Sequence, residues 1–460
     1  LTKTQKRILR KCRTCSIYLF LGLMFLGTFV GLLFFFRPST STVEKRTLTE
    51  FPSFTLSSFL DGSFFSEVSL WYSDTYPMRD TLIAADRSLK NLYGIKTETM
   101  MVGGGSGDEI PDFEEISTDP ESAAAGTESE AGSPELQVSA TPVPVTEAPA
   151  APVEPPDINQ MQAVIQNQIQ QGLYVKNGAA YSVYYFSQSA AQIYANALNN
   201  AAAKLQGTAN VYSILVPNNS GAMLSEEELN GLGGSDQRQG IAYYHSLYQG
   251  VTPIKTIETL REHNSEYLYF RTDHHWTQLG AYYVYRNFCE KKGWTPNELS
   301  SFQTMKFSPF LGTFYSELGN ADMAANPDEV TAYVPRGTND MTYWDTDGSE
   351  IQWHVIEDVS TWDISAGYYC YIGGDKPMSI IENPNITDGS SCLIVKESYG
   401  NCFVPFLVDH YQTVYVVDFR YANVNVVDYV KQHNINDLII MNNITIIGSD
   451  EIASTIAGLL

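Results

Sequence analysis

Cys392 to Met441 reads CLIVKESYGNCFVPFLVDHYQTVYVVDFRYANVNVVDYVKQHNINDLIIM. Its three apolar runs, Cys392–Val395, Thr413–Asp418 and Asp437–Met441, are short and rich in β-branched residues, as buried strands are. Between them, Asn401–Asp409 and Val424–Gln432 read as helices. Strands alternating with helices require right-handed crossovers, which make the strands parallel. Working outward, Val211–Val216 stops at Pro217 and reads as a further buried strand. Helical signal covers Asn159–Gly172, Ser187–Leu205, Gln239–Tyr248 and Thr256–Arg261. A short strand, Tyr267–Phe270, precedes a helix from Thr277 to about Lys291. Ser301–Asn385 is rich in turns, glycine and aromatics and reads as β-rich. The expectation over 157–460 is one α/β domain, a parallel sheet with flanking helices and a β-rich insertion.

The chain before that domain divides by composition. Ser16–Phe36 is an uncharged apolar run that spans roughly 30 Å as a helix, enough to cross a bilayer. Lys3, Lys6, Arg7, Arg10, Lys11 and Arg13 precede it, with no acidic residue among them. Such an excess marks the cytoplasmic side, so 1–15 is expected inside and everything after Arg37 outside. The run ends Phe34-Phe35-Phe36-Arg37-Pro38, a poor cleavage site, which favours a retained transmembrane anchor in the cell membrane over a signal peptide. Residues 37–102 read as an N-terminal helical segment packing on the main domain. Residues 103–156 contain no Lys or Arg and few large apolar side chains, so they read as a disordered acidic linker.

Charge narrows the function classes. The chain carries 28 basic and 52 acidic residues, net −24, and its first 37 residues are strongly basic, so the remainder is more acidic still. An acidic outer part is no nucleic-acid binder, since counterion displacement needs stripes of Lys and Arg. It is equally unsuited to gripping a polyanionic glycan along its length by charge, whereas a neutral or locally contacted glycan fits. Cys12 and Cys15 form a lone pair without a second metal-ligand pair. Cys289, Cys370, Cys392 and Cys402 allow three full pairings or none, and spacing does not choose among these.

Two clusters carry chemistry. Arg271-Thr272-Asp273-His274-His275-Trp276-Thr277 follows the strand Tyr267–Phe270 and opens a helix, the position where open α/β sheets bind ligands. On an extended backbone Asp273 and His275 share a side and His274 faces away. A carboxylate beside His275 fixes its tautomer and stabilises the imidazolium, as a general base needs. Thr277 is placed to cap the helix, and Trp276 to pack beneath the loop. The second cluster, Lys396-Glu397-Ser398-Tyr399-Gly400-Asn401, follows the strand Cys392–Val395. Ser398 stands at a strand-to-helix turn, where a helix N-terminus and the groups of Tyr399, Gly400 and Asn401 can hold an oxyanion or substrate. Arg420, after a strand end, holds a substrate group or pairs with an acid.

The string Asp273-His274-His275-Trp276 resembles the signature of the bacterial DHHW proteins, which are similar to the SGNH-hydrolase-like proteins of alginate O-acetylation. The similarity extends to Glu44-x-Arg46-x-Leu48 with Pro52, Tyr72-x-Asp74 with Pro77 and Arg79, and Gly312-Thr313-Phe314-Tyr315. It also takes in Ser398-Tyr-Gly-Asn and Asp418-Phe-Arg420-Tyr, and so covers most of the chain outside the acidic linker. The resemblance implies an SGNH-like fold, Asp273 and His275 as the acid–base pair, His274 as bystander and Ser398 as nucleophile, with no cofactor and no metal. It implies acetyl transfer to hydroxyls of a cell-surface polysaccharide, with a multi-pass membrane acyltransferase as donor partner. Lys396-Glu397 departs from the Gly-Asp that usually precedes the SGNH serine, which leaves the oxyanion donors undefined. Alternatives with the same residues are a glycan O-acetylesterase, a non-catalytic glycan-binding or assembly protein, and a metal-dependent hydrolase using the two histidines.

Overall fold

The structure, a computed structural model, describes residues 99–113 and 158–460 without a break, and scattered residues between 18 and 81. The chain divides into two compact units, Leu1–Lys96 and Thr97–Leu460. In the first, helix Ser63–Asp74 carries Trp71, whose ring meets Phe51 edge-on at 4.7 Å. The Arg37 guanidinium lies 3.8 Å over the same ring and donates to Thr75 Oγ1 at 2.6 Å. Among the described residues no helix is long and apolar enough to cross a membrane, and most of the expected anchor at 16–36 lies outside them.

The second unit is built on one eight-stranded sheet. In chain order its strands are β1 (Asn210–Val216), β2 (Val251–Pro253), β3 (Asp340–Trp344), β4 (Glu350–His354), β5 (Met378–Glu382), β6 (Ser391–Lys396), β7 (Thr413–Asp418) and β8 (Asp437–Asn443). They lie side by side in the order β4-β3-β5-β7-β6-β8-β1-β2. From β7 to β2 all pairings are parallel, with Ile394 opposite both Val416 and Ile439. The β-rich insertion supplies the other three strands, which join antiparallel through β5 against β7. The sheet is therefore mixed, parallel in its centre and antiparallel at one side. A separate hairpin pairs Gln303–Phe310 with Asp328–Val334.

The alternation along the strands explains the layers. Leu393, Val395, Leu438 and Ile440 point to one face and pack with helices α1 (Gln188–Lys204), α3 (Val426–Gln432) and α4 (Asp450–Leu459). Cys392, Ile394, Ile439 and Met441 point to the other and pack with Val284, Tyr285 and Phe288 of α2 (Gln278–Lys292). All eight strand residues are fully buried, and each such aliphatic side chain contributes about 1.5–3 kcal/mol. Ser187 caps α1 by accepting from the Ala190 N–H, and Thr277 caps α2 by accepting from the Gly280 N–H. Cys289, Cys370, Cys392 and Cys402 are buried free thiols, acting as small apolar residues.

Part of the segment assigned by composition to the linker is ordered on this unit. Thr99–Gly103 pairs antiparallel with Gly172–Lys176, and the Asp108 N–H donates to the Phe186 carbonyl at 2.8 Å. Val102, Ile110 and Phe113 rest against the core. Backbone hydrogen bonds to an existing strand fasten this stretch, and composition does not register them. Residues 114–157 lie outside the described residues.

Because β1, β6, β7 and β8 are parallel, their C-terminal ends share one edge. Ser398 and Arg420 both emerge there, just beyond β6 and β7.

Candidate active site

The loop from Tyr267 to Thr277 is shaped by its own hydrogen bonds and by one buried carboxylate. Tyr267–Phe270 is not a sheet strand; Tyr269 makes a single bridge to Trp276 across a tight reversal, with Phe270 N–H donating to the His275 carbonyl at 3.2 Å. Asp328, fully buried in the hairpin strand, accepts from the N–H groups of Arg271 (3.0 Å) and Thr272 (2.8 Å). It also takes Thr272 Oγ1 at 2.7 Å, Arg271 Nε at 2.9 Å and the Tyr267 hydroxyl. Trp276 is buried beneath, its Nε1 donating to the Tyr399 carbonyl at 2.9 Å, and the Tyr399 hydroxyl donates back to the His274 carbonyl. The two polar clusters, 123 residues apart between His275 and Ser398, are thus clamped together by their own aromatics. Asp328→Ala is expected to cost about 2–4 kcal/mol, since it strands the buried Thr272 N–H and hydroxyl, at about 1–3 kcal/mol for each such group, and unpairs the half-buried Arg271. Denaturant unfolding of the variant checks this, and a loss below about 1 kcal/mol contradicts it.

The clamp brings Asp273, His275 and Ser398 into one line. Asp273 Oδ1 lies 2.6 Å from His275 Nδ1 and 2.9 Å from the His275 N–H, and His275 Nε2 lies 2.8 Å from Ser398 Oγ. Asp273 Oδ2 accepts from Thr313 N–H at 2.8 Å and Oγ1 at 3.1 Å. Burial opposes the Asp273 charge, but His275, His274 and the Thr313 N–H outweigh it and hold the carboxyl well below its usual range. An ionised Asp273 needs a hydrogen on Nδ1, which leaves Nε2 to accept from the Ser398 hydroxyl. Tyr368 stacks on His275 at 3.9 Å, nearly parallel at 10°, and donates to the Ser398 carbonyl at 3.0 Å. Gly312 must be glycine because a Cβ there would meet Asp273 atoms at 2.2 Å.

His274 does not face away, as an extended strand would have it, because the backbone reverses here. Its ring lies 3.8 Å from that of His275, and its Nδ1 meets Thr313 Oγ1 at 2.7 Å. Burial, with the nearby His275, pushes His274 down to about 3, so its ring is neutral near neutral pH. Burial alone pushes His245 to about 4. Below pH 6.5 the unfolded chain protonates both rings and the folded chain does not. Stability should therefore fall with pH by about 1.4 kcal/mol per unit for each ring between pH 6.5 and 5. Denaturation at stepped pH measures this slope, and His245→Phe should roughly halve it.

The donors expected around Ser398 are engaged elsewhere. The Tyr399 N–H goes to Glu397 Oε2 at 2.8 Å, the Gly400 N–H to the Glu397 carbonyl at 2.8 Å, and the Asn401 N–H to the Ser398 carbonyl at 3.1 Å. Asn401 Nδ2 donates to Asp375 at 3.0 Å, and Arg420 is paired with Asp418 and Asp375 at 2.6 and 2.8 Å. The helix expected over Asn401–Asp409 is only Val404–Leu407, so among the described residues no long helix follows Ser398 to point its N-terminus at it. Glu397 is fully buried, also accepts from the Asn443 N–H at 2.8 Å, and burial raises its carboxyl above the usual range. Its side chain anchors the turn that presents Ser398.

Thr313, Tyr368, Asp375 and Asp328 were not reached from sequence as site residues. Thr313 lay within a string noticed only for its resemblance, and Tyr368 is one of 29 tyrosines. One ligand atom each from Asp273, His274 and His275 lies within 4.8 Å of the others, the spacing a metal site needs. In the structure these groups are committed to one another, to Thr313 and to Ser398.

The model of the DHHW protein family matches residues 44–417. The chain belongs to the DHHW family. Among solved structures, this DHHW protein is similar to a DHHW family protein from Eubacterium siraeum, at 30% identity and a TM-score of 0.56, over 62% of this chain and 94% of that one. It is also similar to Bacillus cereus PatB1, solved free and with a sulfonyl adduct. The free form matches at 21% identity and a TM-score of 0.53, covering 61% of this chain and 98% of that one. The O-acetyltransferase domain of Pseudomonas putida AlgJ matches at 11% identity and a TM-score of 0.33, over 58% of this chain and 90% of that one, too distant to carry weight. No curated protein matches the DHHW chain.

Proposed function

We propose that this DHHW protein transfers acyl groups, acetyl first among them, to hydroxyls of a cell-surface polysaccharide through an acyl-serine on Ser398. The observation that carries the reading is the unbroken hydrogen-bonded line from Asp273 through His275 to Ser398 Oγ. His275 Nε2 takes the Ser398 proton as Oγ bonds to the acyl carbon, then gives that proton to the departing group. A sugar hydroxyl attacks the acyl-serine, its proton passing to Nε2, and Nε2 hands that proton to Oγ as the Oγ–acyl bond breaks, regenerating serine and the neutral base. With water in place of the sugar the same sequence is hydrolysis, and only exclusion of water by a bound acceptor separates the two outcomes. In this reading the domain lies outside the cell, anchored through 16–36 with its N-terminus inside. A multi-pass membrane acyltransferase delivers the acyl group, since acetyl donors are cytoplasmic.

The test is turnover of a chromogenic acetate ester with and without a neutral oligosaccharide. The expected result is acetylated sugar accumulating at the expense of free acetate. Acetate alone converts the reading to an esterase, and no turnover by folded protein contradicts it.

A further inference from the structure

The 3-10 turn Ile364–Cys370 has an inner and an outer aromatic. Tyr368 is 8% exposed and covers His275, whereas its neighbour Tyr369 is 44% exposed. Trp362 and Ile364 are exposed on the same segment. The Ile364 carbonyl accepts from the Leu311 N–H at 3.1 Å, one residue from the glycine that abuts Asp273, so this segment begins at the wall of the candidate site. Gly373 and Gly374, at φ of 67° and 82°, fold the next loop against the Tyr369 ring; a Cβ on Gly374 would lie 2.8 Å from it. That loop delivers Asp375, whose side chain remains 24% exposed.

Charge at this mouth is balanced. Lys396 lies 2.8 Å from Asp418 and 3.4 Å from Asp375, and Arg420 pairs with the same two carboxylates. Two cations are matched by two anions, and Asp273 adds a third carboxylate nearby. Burial resists the Asp375 charge, but Arg420 and Lys396 outweigh it and keep the group ionised. A uronate arriving here would meet carboxylates with no spare cation beside them among the described residues, whereas a neutral sugar offers hydroxyls to Asp375 and an apolar ring face to Tyr369.

We infer that Tyr369 stacks on an uncharged pyranose of the acceptor while Asp375 accepts one of its hydroxyls, so that the acceptor is a neutral glycan. The inference rests on Ser398 carrying the acyl group, because it seats the acceptor beside that residue.

The test titrates the full chain in a Ser398→Ala background, which prevents turnover, with hexaoses of glucose, mannose and N-acetylglucosamine and with hexamannuronate. At least one neutral hexaose should bind more tightly than the uronate. Tyr369→Ala should weaken that binding about three- to tenfold, and Tyr369→Phe, which keeps the ring, should preserve it. Tighter uronate binding, no neutral binding, or a Tyr369→Ala protein that binds like its parent overturns the inference. Ester turnover by wild type against Ser398→Ala, run separately without sugar, tests the acyl-serine itself, so the two failures are told apart.

Discussion

Ser398→Ala is expected to lower turnover of a chromogenic acetate ester by roughly four to six orders of magnitude. Without Oγ no acyl bond can form, and what remains is whatever the pocket does to activate water. His275→Ala should cost about as much, because a serine without its base is a weak nucleophile. The double variant should be little worse than either single one, since the two groups act as a unit. The serine change should leave the fold intact. Its Oγ contacts are His275 at 2.8 Å and Glu397 at 3.3 Å, and losing such hydrogen bonds costs about 0.5–1.5 kcal/mol each. Activity within tenfold of wild type in either single variant would exclude the acyl-serine route.

Asp273→Asn tests the other end of the line and should lower turnover by about 10³–10⁴-fold. The wild-type carboxylate faces donors on both oxygens, two from His275 and two from Thr313. An amide can accept at only one of its two ends. If its NH₂ turns toward His275, the ring must move its hydrogen to Nε2 and can no longer accept from Ser398. If the NH₂ turns toward Thr313, it opposes a buried N–H donor and the whole side chain is displaced. Either way the base loses its tautomer or its position. Loss of activity with an unfolding midpoint close to wild type would separate this effect from global destabilisation. Wild-type turnover in a folded Asp273→Asn protein would remove Asp273 from the mechanism.

Much of this arrangement is legible in the sequence, for identifiable reasons. The centre of the sheet was readable because its strands are buried on both faces and so appear as continuous apolar runs. Thr413–Asp418 matched to the residue, and α1 differed from the expected helix only by its capping residues. Ser398 stands out because it closes such a run at a strand-to-helix turn, and Asp273 and His275 because they belong to the densest polar cluster of the chain. The differences have equally definite causes, most of them distant in sequence. Tyr267–Phe270 carries a strand-like composition, yet Asp328, nearly sixty residues later, bends the chain away from the sheet. Asn401–Asp409 has helical spacing, but Pro405 sits in a helix of only four residues. The three strands of the insertion join the sheet antiparallel, a long-range pairing that local pattern does not encode. Glu397 was noted as a departure from the usual Gly-Asp-Ser pattern; its work of tying Tyr399 to β8 through Asn443 emerged only in three dimensions.

The most direct measurement is covalent. Sulfonyl electrophiles react with activated serines. Treating the intact protein with a sulfonyl fluoride, and separately with the acetate ester followed by acid quench, then mapping peptides by mass spectrometry, reads the nucleophile itself. The account predicts one sulfonyl and one acetyl group on Ser398 in the wild type, and neither in Asp273→Asn or His275→Ala on the same timescale. Modification of any other residue at the same rate, or an unmodified Ser398 in folded wild-type protein, would contradict it.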